Sequence, residues 1–285
     1  MINIAVKTGL YPKKCDKIKK EPAMRMLKNI CSKMIKINGH NVHYYTAGQG
    51  ETLVVIHGGM GDASTWLNNV NMLADNYTLY VPDLPGFGES QLLDCDHNIP
   101  AFTEFVEDFT ENLGLDKFNL MGHSIGGGVA LNYALRFPGK VKKLVLISSL
   151  CLGREIAPWV RMTSVLARAL SSAMVSLSKA TKWLIDTLML PVKLVRPLSR
   201  ASVNLGSNIT TLKEQTLVLT NRLAGLTVPT LLVWGARDEI VPVKQAYAAA
   251  QVIPDCQLRV FENRGHNVHR DEINNFSRLL TGFLE

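Results

Sequence analysis

Ser124, Asp238 and His266 are the residues of this 285-residue chain whose types and surroundings could do chemistry together. The serine stands in Gly122-His123-Ser124-Ile125-Gly126. A serine at its ordinary pKa is a weak nucleophile and needs an adjacent base. His266, in Arg264-Gly265-His266-Asn267, is the candidate base, with His269 as its competitor. Gly265 would free the backbone ahead of His266, which favours that residue. An imidazole base in turn needs a carboxylate to set its tautomer and steady the imidazolium. Asp238 is placed for this in the segment from Trp234 to Pro242, with Glu239 and Asp255 as alternatives. Reading Asp238 as the N-cap of a helix near Pro242 is weaker, because it lies four residues before the proline. Such a set does acyl transfer, and the oxyanion it creates needs N–H donors. His57-Gly58-Gly59-Met60-Gly61 offers the N–H of Gly59, with Met60 as the alternative, and Ile125 offers a second. His57 is expected to be structural. His40, His43 and His97 fall in turns or an early hairpin, where polar, non-catalytic roles are expected. His123 sits at the variable position of the turn, with its side chain directed away from the serine. If His269 is not the base, it reads as a surface residue in a first helical turn.

The elements around these residues explain how they could meet. Met34–Ile37 and Val42–Thr46 read as strands around the turn dipeptide Asn38-Gly39. Thr52–Ile56, Thr78–Val81, Phe118–Met121, Val141–Ser148 and Thr230–Trp234 are short apolar runs, as strands buried on both faces should be. Gln257–Phe261 is a weaker one. Helical patterns cover Ala101–Leu113, Ile125–Arg136, Pro242–Gln251 and Asp271–Phe283. The alternation predicts an α/β fold with a mostly parallel sheet flanked by helices. Ser124 then lies between a strand and a helix, and Asp238 just past a strand's C-terminal end, where sites of such sheets form. Residues 151–225 interrupt the alternation with helical stretches and no clear strand, and read as an inserted helical cap. The core is expected over 33–150 and 226–285.

Composition narrows the class. Apolar residues make up 47% and charged residues 19%, which fits a globular protein and excludes a disordered one. No run of eighteen uncharged apolar residues exists, so no transmembrane helix is expected. The first twenty residues hold no apolar stretch of the kind a secretory signal needs. Five scattered cysteines without a C-x-x-C pair suggest reduced thiols and a cytoplasmic place, with no zinc site. No metal or organic cofactor is implied. The net charge of +7 is uneven. Residues 1–36 carry ten Lys/Arg against Asp16 and Glu21, and residues 151–225 carry ten against Glu155, Asp186 and Glu214. The rest of the chain is therefore net acidic. A basic extension at 1–32 reads as a flexible, solvated tail. No nucleic-acid-reading motif accompanies it. Tail and cap would allow weak contact with an anionic membrane surface, although helical Lys/Arg are usually just solvated. A monomer or weak homodimer is expected.

With these motifs together, the chain resembles the α/β-hydrolase superfamily in its serine-hydrolase branch. The resemblance covers about residues 33–285 and rests on His57-Gly58-Gly59, Asp83-Leu84-Pro85-Gly86-Phe87-Gly88-Glu89-Ser90, the turn at Ser124, the Asp238 segment and Gly265-His266. It implies the chain order Ser124…Asp238…His266 for a triad, and a mainly structural Asp83 loop. It implies cleavage of carboxylic esters of small to medium apolar groups, with residues 151–225 as a lid whose Met162, Met174 and Met189 are adaptable lining. Epoxide hydrolases and haloalkane dehalogenases of the superfamily carry aspartate where this chain has Ser124, so neither reaction is implied. Carbon–carbon hydrolases of ring-cleavage products share the triad, and many carry tryptophan directly after the histidine, where this chain has Asn267. Cofactor-free peroxidases share it too. A non-catalytic ligand-binding protein of the same fold is the reading from another class.

Overall fold

The computed structural model describes residues 29–92, 97–162, 208–210 and 214–285. The basic residues expected to form a tail, and most of the expected cap, lie outside them. Eight strands form one sheet: β1 (Cys31–Ile37), β2 (His40–Ala47), β3 (Glu51–Ile56), β4 (Tyr77–Pro82), β5 (Phe118–His123), β6 (Val141–Ile147), β7 (Thr230–Gly235) and β8 (Cys256–Phe261). Their spatial order is β1-β2-β4-β3-β5-β6-β7-β8. β2 pairs antiparallel with β1 and β4, and every pairing from β4 through β8 is parallel. The β1–β2 hairpin closes at Ile37 opposite His40, with Asn38 and Gly39 at φ +48° and +86°. Two consecutive positive φ values are what a type I′ turn requires, and Asn-Gly tolerates them best.

Among the described residues, the helices packed on the sheet are α1 (Leu67–Leu73), α2 (Ile99–Asn112), α3 (Ile125–Arg136), α4 (Lys244–Ala250), α5 (Val268–Asp271) and α6 (Ile273–Leu284). They cover both faces of the sheet. Val54 and Ile56 of β3 join the core beneath α2 and α3, while Leu53 and Val55 join the core beneath α1 and α6. Both sets are buried, which is why β3 reads as an unbroken apolar run. β8 is an edge strand and only half-buried, hence its weaker pattern. On α2, Phe102, Phe105, Val106 and Phe109 recur at helical spacing and are all buried. Each such side chain contributes about 1.5–3 kcal/mol by leaving water. The start of α2 is set by Asn98, whose side chain accepts from Ala101 N at 2.9 Å, with proline in the first turn. These signals put the helix two residues earlier than its apolar pattern does.

The expected single helix over Asp271–Phe283 is two, because Glu272 leaves helical geometry at φ −124° and ψ 37°. The turn of 3-10 helix at Ala63–Trp66 leading into α1 was not evident from periodicity, being too short to show one. Cysteine chemistry also departs from expectation. Cys31 is disulfide-bonded, its partner lying outside the described residues, while Cys151 and Cys256 are free thiols. Pairing depends on which cysteines the fold brings within reach, and scattered spacing does not encode that. The cytoplasmic placing rested on reduced thiols, and this bond removes that support. Among the described residues no helix is long and apolar enough to cross a membrane.

The Asp83 loop is structural. Its carboxylate accepts from Ala63 N at 2.6 Å, Glu89 N at 2.9 Å and His43 Nδ1 at 2.7 Å, and a side chain at Gly88 (φ +51°) would collide with it. Burial alone would raise Asp83, but these donors hold it below the usual carboxylate value. Burial alone would lower His43, but Asp83 raises it above the usual imidazole value. The His43 share of stability is therefore complete below the unfolded imidazole value and is lost as pH rises through the higher folded one. The Asp83 share is present above the unfolded carboxylate value and is lost as pH falls through the lowered one. The thermal midpoint is expected to decline as pH rises above about 6.5. The decline should be weaker in His43→Gln. Equal pH slopes in the two proteins would contradict this role.

Candidate active site

β5 ends at His123 and α3 begins at Ile125, leaving Ser124 as the whole of the turn between them. Its backbone sits at φ 55° and ψ −116°, where a residue with a side chain is strained by about 1–3 kcal/mol. The surroundings hold it there. Ser124 N donates to Ile147 O at 2.9 Å, and Ser124 O accepts from Gly128 N at 3.1 Å and Leu150 N at 3.0 Å. A Cβ at Gly122 would strike the Gly126 carbonyl, and one at Gly126 would strike the carbonyls of Ile56 and His57. The glycines flanking Ser124 thus permit the sharp reversal, as the sequence suggests.

Asp238 lies three residues past β7 and His266 five past β8. The two loops are stitched by Arg237 N donating to Arg264 O at 2.9 Å. His266 Nδ1 is 2.9 Å from Asp238 Oδ2 and 3.1 Å from Oδ1. A carboxylate accepts, so in the neutral imidazole the proton is on Nδ1 and Nε2 has the lone pair. Asp238 is held in turn, with Oδ1 accepting from the N–H groups of Ile240 and Val241 at 2.9 Å each. These bonds close a turn and do not cap a helix, because α4 starts at Lys244 with Val243 at its N-cap, so the helix-cap reading of Asp238 does not hold. The Asp238 side chain is fully buried and that of His266 is 10% exposed. The carboxylate is shut off from solvent, while the imidazole can be reached from outside.

The loop after β3 borders the serine. Gly61 N donates to Gly58 O at 3.3 Å, making a tight turn with Gly59 and Met60 at its centre. A Cβ at Gly58 would come within 3.4 Å of Ser124 Cβ. Ile125 heads α3, and the first N–H groups of a helix have no partner within it. Of the two expected donors, Gly59 N belongs to this turn and Ile125 N to the first residue of α3. His57 is structural, as expected. It is fully buried and held below the usual imidazole value by that burial. Its Nδ1 donates to Gly58 O at 2.8 Å, and its Nε2 accepts from Leu84 N at 3.0 Å.

Two expectations need correction. His269 is not a surface residue. It is 2% exposed and stacks on Trp66 with ring centroids 4.3 Å apart. Its position in a first turn is right, but α5 turns that face inward. Gly265 is not needed for backbone freedom, because its φ lies outside the left-handed region and a Cβ there would meet only Arg237 O, at 3.6 Å. The close approach falls instead on Gly235, where a Cβ would strike the carbonyls of Arg264 and Gly265. Sequence reasoning also missed that His123 touches His266. Its only signal was an imidazole type at the position before the serine. Among the described residues no group of three His, Cys, Asp or Glu side chains could hold a metal ion.

Comparison with known proteins identifies the fold family. The family model for the alpha/beta hydrolase fold matches residues 51–272. The 2-hydroxy-6-oxo-6-phenylhexa-2,4-dienoate hydrolase of Burkholderia cepacia is 30% identical over 275 residues, spanning 89% of this chain and 96% of that protein. A putative lipase from Acinetobacter baumannii AYE superposes with a TM-score of 0.70 at 26% identity, over 90% of this chain and 91% of the other. A serine hydrolase from the polyaromatic-hydrocarbon-degrading bacterium Cycloclasticus zankles superposes at 0.74 with 23% identity, covering 90% and 98%. By the extent of the family match and by the order and ends of its strands, this chain belongs to the α/β-hydrolase fold family.

Proposed function

We propose that this hydrolase cleaves carboxylic esters of small to medium apolar groups through an acyl-enzyme on Ser124. The observation that supports the reading is the His266–Asp238 pair, which in the neutral imidazole puts the proton on Nδ1, together with the strained turn at Ser124. Ser124 Oγ attacks the carbonyl carbon and its proton passes to His266 Nε2. The N–H groups of Gly59 and Ile125 take the tetrahedral oxyanion. His266 then gives its proton to the departing alkoxide, and the C–O bond breaks. Water, deprotonated by the same nitrogen, attacks the acyl-enzyme and restores Ser124. Asp238 stays ionised throughout, steadying the imidazolium.

A second reading is favoured by the Burkholderia relative, which nearly spans its full length with this chain. In it the same serine set cleaves a carbon–carbon bond of a vinylogous diketone acid. Steady-state rates on p-nitrophenyl butyrate and on 2-hydroxy-6-oxo-6-phenylhexa-2,4-dienoate separate the two. The ester reading expects the larger kcat/KM on the butyrate. A clear preference for the dienoate replaces it with the second.

Either reaction needs His266 unprotonated, so kcat/KM should fall as the medium becomes acid. Its two neighbouring imidazoles do not share that titration. Burial pushes His269 down to about 3, and burial with the nearby His269 and His266 holds His123 well below the usual value. The acid limb of log kcat/KM is therefore expected to have a limiting slope of about one. A slope near two would show a second imidazole titrating with His266.

A further inference from the structure

We propose that His123 is a positioning residue, whose Nε2–H donates to the His266 carbonyl oxygen and holds the catalytic imidazole in register with Ser124. The inference rests on the reading of Ser124, His266 and Asp238 as a triad. His123 Nε2 lies 3.0 Å from His266 O. A carbonyl oxygen only accepts, so the proton of the His123 ring is on Nε2. The ring is buried, and its surroundings disfavour the charged form, which keeps it a single-donor imidazole. Its other edge meets the turn after β3, where a Cβ at Gly58 would approach His123 Nδ1 to 2.8 Å. One side chain thus touches the loop of the proposed oxyanion donors and the loop of the proposed base, and its own backbone leads directly into Ser124.

The ring contacts extend the brace. His123 and His266 have centroids 4.7 Å apart at 53° between planes, and His123 and His269 are 4.4 Å apart at 48°. His269 stacks on Trp66, and Asn69 Nδ2 donates to His269 O at 2.8 Å. The stack runs from α1 through α5 to the end of β5. His266 is then held at two points: Asp238 fixes the ring through Nδ1, and His123 fixes the backbone that carries it. Asp238 alone sets the tautomer but leaves the loop free to pivot about that bond. A misplacement of about 1 Å at a reacting group can cost about a hundredfold in rate.

The test compares His123→Gln, His123→Asn and His123→Leu with wild type and Ser124→Ala on p-nitrophenyl butyrate, with thermal midpoints alongside. Glutamine carries an amide N–H at about the reach of Nε2. Asparagine is one methylene short, and leucine has no donor. Asparagine and leucine are expected to lower kcat by about 10- to 100-fold with KM changed less than about threefold, while glutamine stays within about threefold of wild type. A purely structural role would lower the midpoints and the amount of active protein, without separating glutamine from asparagine. If the leucine variant does not fold, the glutamine and asparagine pair decides. Wild-type kcat in folded His123→Asn, or an equal fall in glutamine and asparagine, overturns the inference while leaving a dead Ser124→Ala and the triad intact. Wild-type turnover in Ser124→Ala, or no turnover of the ester by wild type, overturns the underlying reading and this inference with it.

Discussion

Replacing Ser124 with alanine is expected to lower kcat/KM by about four to six orders of magnitude. Each factor of ten is about 1.4 kcal/mol of barrier, so the loss amounts to about 5–8 kcal/mol of transition-state stabilisation. No neighbouring group can replace the hydroxyl, because it alone both attacks the carbonyl and carries the acyl group. Removing His266 as well should add little, since the members of such a set act as a unit. The fold should persist. Alanine keeps a Cβ at φ 55°, so the backbone strain is unchanged, and the three backbone bonds of the turn remain. Glycine at the same position makes the control. It relieves strain of about 1–3 kcal/mol, so Ser124→Gly should melt above Ser124→Ala although both are inactive. Ester kinetics and melting curves on the two variants check both halves.

Asp238→Asn is expected to lower kcat by about three to four orders of magnitude without unfolding the loop. The amide oxygen can still accept from Ile240 and Val241, which anchor the turn. Its nitrogen then faces His266 Nδ1, and an NH2 can only donate there. The imidazole must switch its proton to Nε2, the atom that has to receive the serine proton. Asp238→Ala removes both functions and should also lower the thermal midpoint, because it leaves the N–H groups of Ile240 and Val241 without their acceptor. A kcat for Asp238→Asn within about tenfold of wild type would contradict the assigned role.

The parallel part of the sheet was legible because physics writes it locally. β3, β5, β6 and β7 are buried on both faces, so their residues form continuous apolar runs. The turn at Ser124 was legible because close backbone approach demands glycine at 122 and 126, and a short motif records both. The places of Asp238 and His266 beyond β7 and β8 followed from the strand pattern, and the two side chains meet. The contact of His123 with His266 was not legible. It joins residues 143 apart through a carbonyl, and any residue type supplies a carbonyl. The burial of His269 depends likewise on Trp66, at the end of the 3-10 turn that leads into α1. The His43–Asp83 pair is 40 residues apart and arises from β2 lying beside β4, an order that alternation alone does not specify.

The central claim is that Ser124 is an activated nucleophile. The most direct measurement is the intact mass of the protein after treatment with a fluorophosphonate, followed by peptide mapping. The account predicts one adduct per chain, on the peptide containing Ser124, and none in Ser124→Ala. No adduct on the wild type, or an adduct on another residue, would contradict it.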